Sequence, residues 1–366
     1  MVTVIFKTLE KCVSNCVYCD VIKRKQTKVM SYELLEIVFT RINTFLANNP
    51  TEDIVITWHG GEVTMLGEDY FLKAYELQEK LCKNTKDRIK HNAQSNLLVL
   101  NQGIINALKK LGISSLGTSF DPIPGIRGLG KNRNSTLYNT RFLNSTDLLR
   151  KNDMTWGIIN VVHKKQLPLA KDIYYYLTNL CDSVCFNEVY VYGEDTHGLK
   201  ISGEEFADFL GEIFPLWLKH KDKINVRPFD GLFDLVNGKQ GSLVCEFAGN
   251  CSHKWLYIGP TGETSHCGKA GDYDLISYGN IAETELQYVL NSGQRNKFVD
   301  RLNFLQNNDC KNCRFWGICH GGCFVDSIMK NQDLNSVSSS CVWIKRFIEN
   351  YLEPILGVKI DFSAVS

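Results

Sequence analysis

The stretch Cys12-Val13-Ser14-Asn15-Cys16-Val17-Tyr18-Cys19 places three cysteines in the spacing C-x3-C-x2-C, directly after a predicted strand at residues 2–6. Three thiolates so close together can bind one cubane iron–sulfur cluster. Such a cluster normally takes four cysteines, so three leave one iron open to another ligand. A methionine moiety can chelate that iron, and an electron can then break a sulfonium carbon–sulfur bond to give a carbon radical. A zinc site is the alternative, although zinc usually takes four ligands with paired C-x2-C spacing.

A Gly-Gly-Glu sequence, residues 60–62, follows the next predicted strand at residues 54–58. Parallel βα units present their loops at the carboxyl ends of the strands, so this motif and the cysteine triplet should face the same mouth. The glycines allow close approach of the backbone to a ligand, and Glu62 can accept from a positively charged amino group.

Polar residues also end two later strands and are candidate contacts to a cofactor or substrate. Ordinary strand-end caps and turns are the alternative interpretation. The residues are Gln94, Asn96, Ser119 and Asp121.

Up to about residue 220, short β-branched or aromatic runs alternate with amphipathic segments, which predicts an α/β fold with a parallel sheet. Six strands can curl into a partial (β/α)6 TIM-like barrel. The predicted strands lie near residues 2–6, 54–58, 89–94, 114–119, 155–162 and 184–191. The first predicted helix begins after a Ser31 cap and ends at residue 46. The others cover residues 69–82, 103–111, 136–150, 167–180 and 203–219.

Beyond about Lys221 this alternation ends, and glycine and cysteine become frequent. We therefore predict two domains, residues 1–220 and residues 221–366. The second contains a hairpin-like segment at residues 255–262 and a terminal helix at residues 341–356, before Gly357. Its apolar content is sparse, so metal clusters would supply folding energy.

Fourteen cysteines in 366 residues require an explanation. The N-terminus lacks a signal-peptide pattern, and the apolar stretches fall far short of the roughly 20 residues that cross a bilayer. We expect a cytoplasmic protein without membrane contact, in which cysteines serve metal binding or catalysis. A formal net charge of +1 without long runs of like charge makes a nucleic-acid partner unexpected. Cys82, Cys181 and Cys185 fall on predicted helices or strands and are expected to be buried apolar side chains.

The cysteine triplet, Tyr18, the Gly-Gly-Glu motif and the βα alternation together resemble the radical SAM superfamily. In that family the three cysteines hold the cluster that cleaves S-adenosylmethionine (SAM), which implies catalytic roles for Cys12, Cys16 and Cys19. Gln94, Asn96 and Asp121 are then candidate substrate contacts. The implied SAM contacts are Tyr18, Gly60, Gly61, Glu62 and Ser119. In that family an arginine in the helix after this serine often assists, and Arg141 is the candidate.

The C-terminal cysteines resemble the SPASM extension of peptide-modifying radical SAM enzymes. Gly262 and Cys267 form G-x4-C, and residues 310–323 form C-x2-C-x5-C-x3-C. The resemblance implies auxiliary cluster I on Cys245, Cys251, Cys267 and Cys323, and auxiliary cluster II on Cys310, Cys313, Cys319 and Cys341. Both would be fully ligated by protein and suited to electron transfer. The cofactors would thus be three 4Fe-4S clusters and SAM; two zinc sites in a ribbon-like module are the alternative for these eight cysteines.

The resembling enzymes include sulfatase-maturing enzymes, which oxidise cysteine or serine to formylglycine, and maturases that cross-link ribosomally made peptides. In the sulfatase-maturing pattern an aspartate directly after the G-x4-C cysteine is the base, and this chain has Gly268 there. We therefore expect an oxidoreductase that abstracts a side-chain hydrogen and closes a thioether or cyclophane carbon–carbon cross-link, with formylglycine formation as the alternative. Carboxylates that can substitute as the base are Asp230, Asp234, Asp272, Asp274 and Asp326.

The expected partners follow from the same resemblance. They are a precursor peptide or protein substrate and an external electron donor such as flavodoxin or ferredoxin. Because the first predicted strand begins at residue 2, we expect no fused leader-binding domain in front of it. Substrate recognition would then use barrel and SPASM surfaces or a separate leader-binding protein.

Overall fold

The computed structural model describes residues 1–19, 27–239, 241, 245 and 251–363. The chain forms two compact units. The first comprises Met1–Thr118, Pro124–Trp156 and Ser252–Asn296, and the second comprises Ser119–Ile123, Gly157–Cys251 and Lys297–Ser366. The domain boundary predicted after residue 220 stays a prediction.

The described strands follow one another along the chain at intervals that leave room for helices. The six strands predicted from the sequence correspond to the first six of them. The strands are β1 (Val2–Leu9), β2 (Ile54–Gly60), β3 (Ile89–Gln94), β4 (Ser115–Ser119), β5 (Thr155–Val162), β6 (Ser183–Glu188), β7 (Asn225–Arg227), β8 (Trp255–Ile258) and β9 (Thr264–Ser265).

Within the first unit, β4, β3, β2, β1 and β8 lie side by side in that order and run parallel, and β9 pairs antiparallel with β8. Within the second unit, β5, β6 and β7 pair in parallel. The strands β1 to β4 and the strands β5 to β7 are therefore parallel neighbours in chain order, which confirms the predicted α/β alternation. The hairpin predicted at residues 255–262 adds β8 beside β1, so it lies in the same compact unit as the first strand.

The predicted helices of the N-terminal part correspond to the first six described helices. In chain order the helices are α1 (Tyr32–Asn48), α2 (Glu68–Leu81), α3 (Gln102–Lys110), α4 (Ser135–Lys151), α5 (Ala170–Leu180), α6 (Gly203–Leu218), α7 (Phe229–Val236), α8 (Cys251–Lys254), α9 (Gly268–Asp272), α10 (Leu286–Leu290), α11 (Asn296–Asn307), α12 (Trp316–Cys319), α13 (Phe324–Asn331), α14 (Ser340–Phe347) and α15 (Glu353–Leu356). No described helix is both long and apolar enough to span a bilayer.

Local sequence explains several of these boundaries. The hydroxyl of Ser31 accepts from the Leu34 N–H at 3.2 Å, so it caps α1 as expected. The helix α5 begins at Ala170 rather than at Leu167, because Pro168 lies within a 3-10 segment, Lys164–Leu169. A π-helical turn, Ile348–Leu352, joins α14 to α15, and the terminal helix ends before Gly357 as predicted.

The core of the first unit is built on the strands that precede the candidate site. Trp58 on β2 is fully buried, with its ring edge-on to Phe6 of β1 and Phe71 of α2. Its indole N–H donates to His91 Nδ1 at 3.0 Å, and His91 Nε2 lies 2.6 Å from Gln78 Oε1. The large ring holds β1, β2 and β3 in one register. Because the buried polar atoms are hydrogen-bonded, their burial costs little free energy.

In the second unit, α6 packs closely against the terminal helix. A Cβ atom added at Gly211 would lie 2.3 Å from the ring of Tyr351. Tyr351 is held in place because its hydroxyl donates to Asp208 at 2.7 Å, and Asp208 also pairs with Arg346. The close approach of the two helices therefore requires glycine at position 211.

We expect Gly211→Ala to destabilise the protein by about 1–3 kcal/mol, because overpacking the Tyr351 ring outweighs the better helix propensity of alanine. Denaturant unfolding of the variant measures this. In a Tyr351→Ala background the same substitution should be neutral or stabilising. An equal loss in both backgrounds would show that the contact with Tyr351 is not the cause.

Candidate active site

The cysteine triplet lies on the loop that follows β1, and residues of the first unit hold this loop in place. The Asn15 N–H donates to the Gly128 carbonyl at 2.8 Å, and the Val17 N–H donates to the Ile126 carbonyl at 3.0 Å. Within the loop, the Cys19 N–H donates to the Cys16 carbonyl at 3.2 Å. These backbone bonds orient the three cysteines before any ligand binds.

Arg127 reaches the cysteine loop from the same supporting segment. This arginine is buried, and it donates from Nε to the Tyr18 hydroxyl at 2.7 Å and from Nη1 to the Tyr138 hydroxyl at 3.0 Å. Burial lowers the pKa of Arg127, but the neighbouring Tyr138, Tyr18 and Cys16 raise it above its usual value. The guanidinium therefore remains charged and fixes the ring of Tyr18 beside the cysteines.

The two glycines of the Gly-Gly-Glu motif bring their backbone onto the start of the cysteine loop. The Gly61 N–H donates to the Leu9 carbonyl at 2.7 Å, and the Glu62 N–H donates to the Lys11 carbonyl at 2.9 Å. A Cβ atom would lie 2.1 Å from the Leu9 oxygen at position 60, and 2.3 Å from the Lys11 oxygen at position 61. Only glycine permits this approach.

The Glu62 carboxylate is buried and joins the loops after β2 and β3. Its Oε1 accepts from the hydroxyls of Thr64 at 2.5 Å and Ser95 at 2.7 Å, and its Oε2 accepts from the Asn96 N–H at 2.5 Å. Burial raises the pKa of Glu62, and these hydrogen bonds oppose the rise. Asn96 continues the network, since its amide donates to Ser14 Oγ at 3.0 Å and approaches Cys12 Sγ at 3.5 Å.

The thiols of the triplet suit a metal cluster. Burial raises the pKa of the Cys12 thiol to about 12, against a hydrogen bond from the Ser14 backbone, and Glu62, Cys19 and Cys16 add to the rise. A buried thiol of this kind loses its proton readily only when a cation takes the proton's place. The three side chains therefore fit an iron–sulfur cluster, and Cys12, Cys16 and Cys19 would hold it.

A cluster of charged side chains lies at the ends of β1 and β2 and was not singled out by the sequence. Lys7, which is 2% exposed, is opposite His59 in the strand register. Its Nζ donates to Asp272 Oδ1 at 2.5 Å and lies 3.6 Å from Glu10 Oε1. Burial lowers the pKa of His59, so this ring is neutral near pH 7. Asp272 ends α9, the short helix that begins directly after Cys267.

The remaining polar candidates lie at strand ends, as expected. Gln94 is the last residue of β3 and Ser119 the last residue of β4. Asp121, which belongs to the second unit, is buried; its Oδ2 lies 2.8 Å from His163 Nε2 and its Oδ1 accepts from the Ile123 N–H. Arg141 lies on α4 with an exposed side chain. The roles predicted for these residues stay predictions.

Four cysteines of the second unit line one cavity of about 340 Å³. Burial raises the pKa of Cys310 to about 11 and that of Cys319 to about 12, and the neighbouring thiolates add to both shifts. In the described ranges, no group of three or more His, Cys, Asp and Glu side chains is placed to hold a single metal ion. The cavity leaves room for a larger group, and its cysteines are Cys310, Cys313, Cys319 and Cys341, the set expected for auxiliary cluster II.

The other set of C-terminal cysteines is divided between the two units. Cys267 belongs to the first unit, whereas Cys245, Cys251 and Cys323 belong to the second. Cys245 is exposed, and most residues around it lie outside the described ranges. Their common role in auxiliary cluster I stays a prediction.

The chain is similar to known proteins both in sequence and in fold. Residues 245–314 match the SPASM family, described as an iron-sulfur cluster-binding domain. The chain is 23% identical over 95% of both chains to a cysteine-type anaerobic sulfatase-maturating enzyme of Clostridium perfringens. It is 25% identical to a serine-type anaerobic sulfatase-maturating enzyme of Bacteroides thetaiotaomicron, over 88% of this chain and 82% of that one. The solved structure "Native anSMEcpe with bound AdoMet" has a TM-score of 0.83 at 22% identity, over 98% of both chains.

The chain is therefore similar in sequence to anaerobic sulfatase-maturating enzymes, and residues 245–314 match the SPASM domain. The predicted resemblance and fold class are thereby confirmed. The comparisons favour the alternative that was weighed for the reaction, sulfatase maturation, over cross-link formation.

Sequence reasoning missed Arg127 and Lys7. Arg127 lies in a segment, residues 122–134, that has no strand or helix periodicity, so nothing in the sequence placed it beside Tyr18. Lys7 sits inside a strand in which a charged residue is unexpected, and that signal could have identified it.

We expect Gly61→Ala to displace the cysteine loop, because a methyl group cannot fit 2.3 Å from the Lys11 oxygen. The variant should lose the iron of the N-terminal cluster and its production of 5'-deoxyadenosine. Iron content after anaerobic reconstitution and product analysis test this. Gly293→Ala is the matched control, since its Cβ would meet nothing within 4 Å. Full iron content and normal 5'-deoxyadenosine production in Gly61→Ala would contradict the requirement for close approach.

Proposed function

We propose that this chain is a radical SAM maturase of the sulfatase-maturating type. It would generate a 5'-deoxyadenosyl radical, abstract a hydrogen from the side chain of a cysteine or serine in a peptide or protein, and oxidise that residue to formylglycine. The observation that carries the proposal is similarity along nearly the whole chain, 95% of both sequences, to a cysteine-type enzyme. This replaces the preference for a cross-link that Gly268 suggested.

The residues around the triplet have separate roles in this proposal. A bound cluster supplies the electron that cleaves SAM. The backbone of Gly60 and Gly61 and the carboxylate of Glu62 orient the amino group of SAM, and Ser119 contacts its carboxylate. Arg127 holds the ring of Tyr18 beside the adenine. It is a stronger candidate than the exposed Arg141 for the arginine that contacts SAM, because it already bonds to Tyr18.

Oxidation of a cysteine also requires a proton acceptor. The side chain gives up one hydrogen atom to the radical, one proton from its thiol and one electron, and water then hydrolyses the thioaldehyde to an aldehyde and hydrogen sulfide. We infer that Asp272 accepts the proton, because it ends the short helix that begins directly after Cys267 and its carboxylate is held by the buried Lys7. Of the other carboxylates considered, Asp326 is bound to Ser338 and Ser339, and Asp230 to the Val226 N–H.

In this proposal the auxiliary clusters would accept that electron. With the N-terminal cluster they make three 4Fe-4S clusters, cluster I on Cys245, Cys251, Cys267 and Cys323 and cluster II on Cys310, Cys313, Cys319 and Cys341. A flavodoxin or ferredoxin is the external electron partner. Residues 1–220 would form the radical-generating domain and residues 221–366 the auxiliary-cluster domain.

Cross-linking of a ribosomally made peptide is the second candidate, and Gly268 favours it. The position that bears an aspartate in the sulfatase-maturing pattern carries no side chain in this chain. A cross-link at an unactivated carbon does not require a base at that place. A separate leader-binding protein would belong to this candidate.

The two candidates give different products. The anaerobically reconstituted enzyme, with reductant and SAM, is incubated with cysteine- and serine-containing peptides from sulfatase motifs and examined by mass spectrometry. We expect the cysteine peptide to exchange its sulfur for oxygen and gain a carbonyl that reacts with a hydrazine. Two results together would favour the cross-link instead. The sulfatase peptides would stay unchanged, and a co-expressed precursor peptide would lose two hydrogens without gaining a carbonyl.

Combined replacement of Cys12, Cys16 and Cys19 with alanine should abolish SAM cleavage and leave about two thirds of the iron, because the auxiliary ligands remain. Iron analysis and 5'-deoxyadenosine production measure both effects. The control replaces Cys82, Cys181 and Cys185, which are buried cysteines outside the predicted ligand sets. SAM cleavage that survives the first triple substitution would refute the assignment of the triplet.

Asp272→Asn should reduce peptide oxidation at least about tenfold while SAM cleavage continues, because only the proton transfer from the substrate is impaired. Gly268→Asp in the same background should restore part of the activity. A side chain fits there, since a Cβ atom would lie 3.4 Å from Ile5. If Asp272→Asn oxidises the peptide at the normal rate, another group is the base.

A further inference from the structure

A buried arginine lies among the cysteines of the second unit. Arg301 on α11 is 3% exposed. All of its nitrogens are hydrogen-bonded, and all of its partners are neutral. Nε donates to the Leu334 carbonyl at 2.7 Å, Nη1 to the His320 carbonyl at 3.4 Å, and Nη2 to the Gly321 carbonyl at 3.0 Å, the Ser336 carbonyl at 3.2 Å and Ser327 Oγ at 3.2 Å.

This cation lacks the carboxylate that a buried guanidinium usually requires. In the part of the chain that the structure describes, Arg301 takes part in no ion pair, whereas Arg314 and Arg346 of the same unit pair with Glu353 and Asp208. A buried charge without an anion costs several kcal/mol. Hydrogen bonds to carbonyls satisfy the donors of Arg301 but do not neutralise its charge, so a counter-anion is expected nearby.

The groups that would supply negative charge near Arg301, once they bind a cluster as thiolates, are cysteine side chains. Burial lowers the pKa of Arg301, and Cys323, Cys251, Cys319 and Cys310 oppose that effect. Cys251 and Cys323 belong to the set proposed for auxiliary cluster I, and Cys310 and Cys319 to the set for auxiliary cluster II. The carbonyls of His320 and Gly321, which Arg301 binds, lie in the sequence between Cys319 and Cys323, one ligand of each cluster.

A 4Fe-4S cluster with four thiolates is an anion, and reduction adds one more negative charge. A fixed buried cation therefore stabilises the reduced form and raises the reduction potential. Lys345 also lies near these thiolates, beside Cys341, but it is more exposed to solvent, which screens its charge. Arg301 is therefore a buried cation in a position to act on cysteines of both ligand sets.

We propose that Arg301 is the shared counter-cation of the two auxiliary clusters, and that its charge raises the reduction potential of both so that they can accept an electron from the substrate. Arg301 is a positioning and charge-compensating residue rather than a catalytic one. The inference rests on the proposed pair of auxiliary clusters and does not depend on which product the enzyme makes.

Redox titration followed by electron paramagnetic resonance tests this in the Cys12, Cys16 and Cys19 triple-alanine background, in which the auxiliary clusters alone give signals. Arg301→Gln should lower the equilibrium constant for reduction of both clusters roughly tenfold, which is 59 mV for one electron. Arg301→Lys should stay close to the parent because it keeps the charge. Arg346→Gln, which removes a cation already paired with Asp208, should leave both potentials unchanged.

A second variant keeps Arg301 and its hydrogen bonds to backbone carbonyls. Ser327→Asp places a carboxylate beside Nη2, at a hydroxyl now 3.2 Å away, and should lower both potentials, whereas Ser327→Asn should not. If Arg301→Gln and Ser327→Asp bind their full iron and both reduction potentials are unchanged, the inference about Arg301 is wrong, while the cluster assignment stands. A shift as large in Arg301→Lys as in Arg301→Gln, or a shift of one cluster only, would also overturn it. Zinc in place of iron would overturn the inference together with the cluster assignment.

Discussion

The first unit depends on one buried carboxylate. Glu62 accepts from Thr64, Ser95 and Asn96, and Asn96 in turn donates to Ser14 beside Cys12. The loops after β1, β2 and β3 are thereby tied to a common group. A carboxylate without these donors would not remain charged in such a site, because burial alone disfavours the charged form. The network therefore preorganises the cysteine loop before a cluster or SAM is bound.

Charge compensation follows the same principle in both units, with different partners. In the first unit the buried Lys7 has Asp272 and Glu10 within ion-pair distance. In the second unit, the hydrogen-bond partners of the buried Arg301 among the described residues are neutral, and four cysteine side chains lie near enough to act on its charge. A conventional ion pair explains the first cation. The buried charge of Arg301 is explained if the cysteines around it bind anionic clusters.

Much of the candidate site could be predicted from short motifs, because close spacing in sequence forces proximity in space. Cys12, Cys16 and Cys19 are bound to lie together on one loop, and Gly60 to Glu62 are bound to follow the strand next to it. Arg127 could not be predicted in this way. It lies 109 positions from Tyr18, in a segment without periodicity, and a sequence does not encode which long-range hydrogen bond an irregular loop will form.

The amino-acid sequence by itself determined the βα alternation, the helix caps, the cysteine loop and the four-cysteine set at positions 310, 313, 319 and 341. These features depend on local periodicity, on capping chemistry and on ligand spacing, all of which act over short distances along the chain. Only the tertiary structure decided that β8 pairs with β1, that Asp272 meets Lys7, and that Arg301 lies near four cysteine side chains. Those contacts join residues far apart in sequence, and burial and charge balance select them only once the chain is folded.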